Sequence, residues 1–258
     1  MPDTTFDQVG GSPGSNLFSP IRIFGQSSKN INSMRTLSRS QSRQVDLQAT
    51  CQFGIAGLVL MENAGRGVVD VLCQLGAESP VAICCGKGNN AGDGFVIARH
   101  LLLRGLDARV LIWGDPALLE GDTRTNFQIL HPAGIQVLER AERDEETTLR
   151  HLADATWIVD ALLGTGSQGA PRSPLDKAIE QMNRQAAPIL AVDLPSGLDC
   201  DTGDAPGPVI RARHTCTFVA PKPGLLKAGI QEITGQLHIL DIGIPRSLVD
   251  AALAAGGD

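Results

Sequence analysis

PVAICCGKGNNAGDGFVIARHLLLRG, residues 80–105, is the stretch on which the fold turns. The apolar run 81–85 reads as a buried strand, because a short unbroken run bounded by Pro and Gly suits a sheet covered on both faces. From about residue 93 the apolar spacing becomes that of a helix. Between them, GKGNNAGDG (86–94) carries four glycines in nine residues. A glycine-rich loop between strand and helix turns several N–H groups outward at the positive end of a helix dipole, which makes a cradle for pyrophosphate. The plainer alternative is a tight turn that needs glycine only for φ > 0.

Outward from this unit the same alternation continues. Further apolar runs lie at 108–113, 135–138, 156–161, 189–193, 215–220 and 237–242. Helix-like stretches fill the gaps at 117–130, 144–153 and 174–186. Strands alternating with helices at this spacing imply βαβ crossovers and a mainly parallel sheet. Two helices precede it: one capped by Ser38 and running to about residue 53, and one over 57–75. No linker follows residue 38, so one domain is expected. In a doubly wound sheet of order 3-2-1-4-5, the strands at 81–85, 156–161 and 189–193 are neighbours, and their C-terminal loops converge at the switch point.

Those loops hold the candidate chemistry. Asp160 ends one strand and leads to GTGSQGAPR (164–172); Asp193 ends another and leads to PSGLDCDTG (195–203). Asn90, Asp160, Asp193 and Ser196 are therefore expected to meet in one crevice lined with main-chain amides. Each alone has a duller explanation as a helix cap or turn former. Gly86, Gly88 and Ala91 also fit the dinucleotide fingerprint of a hydride-transfer enzyme. Against that rival, no acidic residue ends the second strand: Asp107 precedes it and Asp115 lies beyond Gly114.

Bulk properties narrow the function further. A net charge of −6, aromatic content of 3% and no tyrosine argue against nucleic acid, which calls for a basic face or stacking platforms. Six cysteines without a C-x-x-C pair and five scattered histidines offer no transition-metal spacing, and Cys84 and Cys85 read as buried thiols. No apolar stretch approaches the ~18 residues of a membrane span. A cytoplasmic setting is expected. Residues 1–36 are rich in Gly, Ser, Pro and Asn and are expected to form a disordered extension. Their basic, acid-poor character also resembles a transit peptide, and a true start at Met34 is a further alternative.

LVLMENAGRG (58–67), GKGNNAGDGFVIARHL (86–101), VDALLGTGSQGAPRSP (159–174) and AVDLPSGLDCDTG (191–203) together resemble the NAD(P)H-hydrate epimerase family, the YjeF N-terminal domain. The resemblance spans residues 37 to 243 and implies a Rossmann-like three-layer α/β/α fold, a hydrated NADH or NADPH as substrate and a potassium ion. It implies substrate contacts from Asn89, Asn90, Ala91, Gly92 and Asp93, from Gly164, Thr165, Gly166, Ser167, Gln168, Gly169 and Ala170, and from Asp193. It implies potassium ligands at Asn90, Asp160 and Ser196. Ala91 departs from the glycine most members carry. Asp193 is expected to be the general acid/base, as the crevice carboxylate free of the ion, and Lys222 to be a surface or loop residue. Members are often dimers, so a homodimer is compatible. With the chain stopping at Asp258, the pathway's ATP- or ADP-dependent dehydratase is expected on a separate polypeptide. Because the same fold occurs in an mRNA-decapping enhancer, a non-catalytic binding protein is the main alternative.

Overall fold

The computed structural model describes residues 34–255. The N-terminal extension expected over 1–36 thus lies, apart from its last three residues, outside the described part.

The segment quoted first folds as β1 (Val81–Cys85) followed by α3 (Asn89–Leu103). Every residue of β1 is buried. Its alternate side chains serve different layers. Val81, Ile83 and Cys85 pack with Val68, Leu72, Phe95 and Leu101 on one face. Ala82 and Cys84 pack with Leu152, Ile179 and Met182 on the other. This two-sided burial is why the run shows no polar alternation. It also gives Cys84 and Cys85 the buried thiol environments expected of them.

The remaining strands are β2 (Ala108–Ile112), β3 (Gln136–Leu138), β4 (Trp157–Ala161), β5 (Ile189–Val192), β6 (His214–Phe218) and β7 (Gln236–Leu240). The sheet order is β3-β2-β1-β4-β5-β6-β7, and all six pairings are parallel. One layer holds α2 (Gly57–Gln74), α3 and α4 (Gly121–Leu130); the other holds α5 (Glu145–Ala153) and α6 (Leu175–Asn183). The α/β/α sandwich follows from the sequence pattern, with the switch point between β1 and β4.

Helix α3 begins at Asn89, four residues before the start read from periodicity, so only residues 86–88 form the loop. Two glycines are spent on packing instead of on a ligand. A Cβ on Gly94 would lie 2.7 Å from Cys85 Sγ and 2.9 Å from Ala161 Cβ, so α3 sits close against the sheet. A Cβ on Gly92 would meet Met61 Sδ at 2.5 Å. Tertiary approach here overrides the weak helix propensity of glycine.

Helix α1 (Arg39–Phe53) starts in a reciprocal box: Ser38 Oγ accepts from Gln41 N–H, and Gln41 Oε1 accepts from Ser38 N–H. It ends on Gly54 at φ 68°. Its buried residues Val45 and Ala49 pack with Leu60, Ala64, Ile242 and Leu248. Leu248 belongs to α8 (Arg246–Ala254), which periodicity did not reveal, and a short α7 (Gln231–Thr234) precedes β7. Helix α1 therefore lies over the C-terminal edge of the sheet, where the loops after β1, β4 and β5 emerge.

Candidate functional site

Between α1, α2 and those loops lies a cleft of about 830 Å³. Its floor comes from Asn89, Asn90 and Asp93 at the start of α3, from Leu162 to Ser167 after β4, and from Asp193 after β5. Its outer wall comes from Val45, Asp46, Leu47 and Thr50 of α1 and from Leu60 and Met61 of α2. Phe218 at the end of β6, with Val219 and Lys222 beyond it, completes the lining.

Two strained turns shape the floor. Asp193 and Val219 both have φ 67°, and each is the middle residue of a three-residue turn closed by an i to i+2 bond: Leu194 N–H to Val192 C=O at 2.9 Å and Ala220 N–H to Phe218 C=O at 2.8 Å. Positive φ in a residue other than glycine costs of order 1–3 kcal/mol and persists only where the surroundings enforce it. The turn swings the Asp193 carboxylate off the end of β5. Thr165 receives it, donating its N–H (2.6 Å) and its hydroxyl to Oδ2. Lys222 Nζ lies 3.0 Å from Oδ1.

Lys222 is nearly inaccessible, 3% exposed, and its other donors reach Thr217 Oγ1 at 2.8 Å and Phe218 C=O at 3.2 Å. An ammonium held this rigidly has little choice of partner. Burial pushes the Asp193 carboxyl up, but Lys222 and the Thr165 bonds outweigh it and hold the group below its ordinary range. Two further cleft carboxyls go the opposite way. Asp46, although it reaches solvent, is raised to about 6 by desolvation in the cleft, with Lys222 opposing and Asp193 assisting. Asp93 is raised well above the usual carboxylate range, first by burial and then by Asp193 and Asp46. Asp193 is thus firmly ionised, whereas Asp46 and Asp93 hold their protons to higher pH than an ordinary carboxyl does.

A second polar cluster lies beneath the floor. Asp160 is fully buried. Its oxygens accept from Ser196 N–H at 2.8 Å, Ser196 Oγ–H at 2.6 Å and Leu162 N–H at 3.2 Å. Burial nevertheless raises its carboxyl to about 6. Ser196 Oγ accepts in turn from Leu163 N–H at 2.9 Å, and Leu163 C=O accepts from Asn90 Nδ2 at 3.0 Å. Asn90 Oδ1 is buried and has no hydrogen-bond partner. A buried amide oxygen left without a donor costs about 1–3 kcal/mol unless something else satisfies it. The two clusters are adjacent: a Cβ on Gly164 would lie 3.0 Å from Asp193 Oδ2 and 3.3 Å from Asn90 Cβ.

Comparison with known proteins decides the relationship. Residues 57–224 match the model of the YjeF-related protein N-terminus. The chain belongs to this family. An NAD(P)H-hydrate epimerase of Pirellula staleyi is 43% identical over 217 residues, covering 84% of this chain and 96% of that protein. Its namesake in Rhodopirellula baltica is 40% identical, covering 80% of this chain and 84% of that one. A bifunctional NAD(P)H-hydrate repair enzyme of Moorella thermoacetica is 40% identical over 221 residues, and the match covers 42% of that longer protein. The crystal structure of yeast ynu0 superposes with a TM-score of 0.72 at 26% identity, covering 85% of this chain and 93% of that one.

Within this YjeF-related architecture, the residues singled out by sequence fall into three groups. Asn89, Asn90, Asp93, Gly164, Thr165, Gly166, Ser167 and Asp193 line the cleft. Asp160 and Ser196 do not face it but lie beneath, joined to Asn90 through Leu163. The rest are placed elsewhere. Ala91 is wholly buried in the apolar core, and its N–H is taken by Gly88 C=O. Gly92 faces Met61, while Gln168, Gly169 and Ala170 are exposed outside the cleft lining.

Lys222 corrects a reading. It is not a surface residue, because the turn at Val219 directs the following segment back over the sheet edge and buries the ammonium against Asp193. Sequence reasoning also missed Asp46, a lone acid on a helix that reads as a solvated face. The signal for Lys222 was available: it sits in APKPGL (220–225), directly after a strand adjoining β5. For Asp46 there was none.

Proposed function

We propose that this chain is an NAD(P)H-hydrate epimerase, an isomerase interconverting the R and S forms of hydrated NADH or NADPH at C6 of the nicotinamide ring. The observation that carries the reading is Asp193, an ionised carboxylate fixed by Lys222 and Thr165 in the switch-point crevice. The names borne by relatives matched over most of both chains support it.

The hydrate carries a hydroxyl on C6, beside the ring nitrogen. When that hydroxyl is protonated it leaves as water, and the nitrogen lone pair closes a planar cation. Water adding to the opposite face yields the other epimer. Such a cation is stabilised by fixed negative charge nearby, which the Asp193 carboxylate supplies in a site that needs no reorganisation. Asp193 also takes the proton of the entering water, as general base. The cleft volume is ample for a nicotinamide nucleotide. The loop after β1 and the first turn of α3, which line the cleft, would offer N–H groups to the dinucleotide phosphates.

Potassium suits the cluster under the floor. Among the described residues no group of three or more His, Cys, Asp or Glu side chains is arranged to hold a metal ion. A hard monovalent cation needs instead a mixed oxygen set. Asn90 Oδ1, unpartnered and buried, together with Asp160 and Ser196, would provide it. Bound there, the ion would contribute fixed positive charge that keeps Asp160 ionised and draws the loops after β1, β4 and β5 together. A dehydratase acting on one epimer would consume the product.

Incubating separated R and S hydrates with the protein and following them by chromatography tests the proposal. Each pure epimer is expected to relax to the same mixture far faster than without protein. Relaxation at the uncatalysed rate would refute it.

A further inference from the structure

Inversion at C6 has a geometric demand that one carboxylate does not meet. Water departs from one face of the ring and arrives at the other, so proton transfer is needed on both sides. Asp193 enters the cleft from the end of β5 and serves one side only.

We propose that Asp46 is a second catalytic residue, which transfers protons on the ring face opposite Asp193. The inference rests on the epimerase reading. Asp46, on α1, and Asp193, after β5, line the same cleft from different elements. A ring bound between wall and floor presents one face to each carboxyl. Val45 and Leu47 beside it, with Leu60 and Met61 of α2, give Asp46 largely apolar neighbours on that wall. No side chain or main-chain N–H among the described residues donates to its carboxyl, which leaves it free to turn toward a ligand. Asp193, by contrast, is fixed in place by Thr165 and Lys222.

Lys222, Asp193 and Asp93 act on Asp46 across the cleft, and Arg43 of its own helix, Lys87 and Asp122 line the same cleft. Desolvation by the cleft, with Lys222 opposing and Asp193 assisting, leaves Asp46 near 6, so it exchanges its proton readily just below neutrality, while Asp193 rests as the carboxylate able to accept one. One proton shared by two unlike carboxyls is the state an acid–base pair requires.

In one direction the protonated Asp46 gives its proton to the C6 hydroxyl. The C–O bond breaks, its electron pair leaves with water, and the nitrogen lone pair forms the C6–N1 double bond. Water entering on the far side forms a new C–O bond, the double-bond pair returns to nitrogen, and the excess proton passes to Asp193. The composition of the hydrate is unchanged, and one proton has moved from Asp46 to Asp193. The opposite direction reverses each transfer. Repeated turnover in one direction returns the proton through solvent, to which Asp46 is open.

The test compares wild type, Asp46→Asn and Asp46→Glu in both directions across about pH 5 to 9, with acetate added to Asp46→Ala as a chemical substitute. For Asp46→Asn, kcat is expected to fall about 10²–10³-fold both ways, with KM changed less than about threefold. The wild-type decline of kcat/KM as pH rises through about 6, where the acid loses its proton, should vanish in Asp46→Asn. Asp46→Glu should recover part of the rate, and acetate should accelerate Asp46→Ala in proportion to its concentration. Retention of both the rate and the limb in Asp46→Asn overturns the proposal. So does a loss of rate that neither Glu nor acetate repairs, which marks a purely structural role. Failure of the epimerase reading looks different: wild type itself would then leave separated epimers unchanged.

Discussion

Replacing Lys222 with Met keeps the aliphatic stem but deletes the charge opposite Asp193. At 3.0 Å and an effective dielectric near 20, the attraction is roughly 5.5 kcal/mol before desolvation is subtracted. Both side chains are largely buried, at 4% and 14% exposure, so screening by water is weak. Removing one member of such a pair leaves an uncompensated buried charge, for which about 3–5 kcal/mol is the usual loss of stability. Thr165 still donates two hydrogen bonds to Asp193, which places the expectation near the lower bound. The sign with pH follows from the depressed carboxyl. Its stabilising contribution is present above the unfolded Asp value of about 3.9 and is lost as pH falls through the folded value. The stability gap between wild type and Lys222→Met should therefore be widest at neutral pH and narrow below about pH 4. Urea unfolding at several pH values measures it, and the double variant Asp193→Asn/Lys222→Met should cost at least about 1 kcal/mol less than the two single losses added. A gap that is flat with pH, or losses that simply add, would refute the pairing as the cause.

Other consequences are equally open to measurement. If Asn90 Oδ1 ligates potassium, KCl should raise the midpoint of thermal unfolding by several degrees over an equal concentration of NaCl, and Asn90→Ala should abolish the difference. Gly94→Ala forces a methyl group between α3 and the sheet against Cys85 and Ala161, and denaturant unfolding should register a loss of about 1–3 kcal/mol. Arg39 ties α1 to the loops through Thr165 C=O at 2.8 Å and Asp199 at 2.9 Å, so Arg39→Met should destabilise the fold by about 1–3 kcal/mol and raise KM by loosening the outer wall. Epimerisation in ¹⁸O-labelled water should place one solvent oxygen on C6 for each inversion, as mass spectrometry of the hydrates would show.

Much of the fold was legible because a parallel sheet buried on both faces leaves uninterrupted apolar runs, and crossover rules then restrict their order. The run 81–85 and the glycines after it suffice to locate β1 and the crevice. The start of α3 was not legible, since Gly92 and Gly94 look like loop residues until Met61 and the sheet are known to press on them. The candidate site divides similarly. Asn90 and Asp193 could be placed from the ends of strands. Asp160 and Ser196 could also be located, but not that their hydrogen bonds to each other put them under the floor. Lys222 was misread because a lysine in a Pro-rich loop is usually solvated. Its burial depends on the turn at Val219, where a β-branched residue adopts a φ that local preference disfavours. Asp46 is a surface-type residue whose meaning comes wholly from the wall it stands in.

The central claim, that Asp193 in this cleft inverts C6 of the hydrated ring, meets its most direct test in Asp193→Asn. The amide keeps the size and shape of the side chain and can still accept from Thr165. The account predicts that this variant binds the dinucleotide while separated R and S hydrates interconvert no faster than in buffer. Interconversion at the wild-type rate would contradict it.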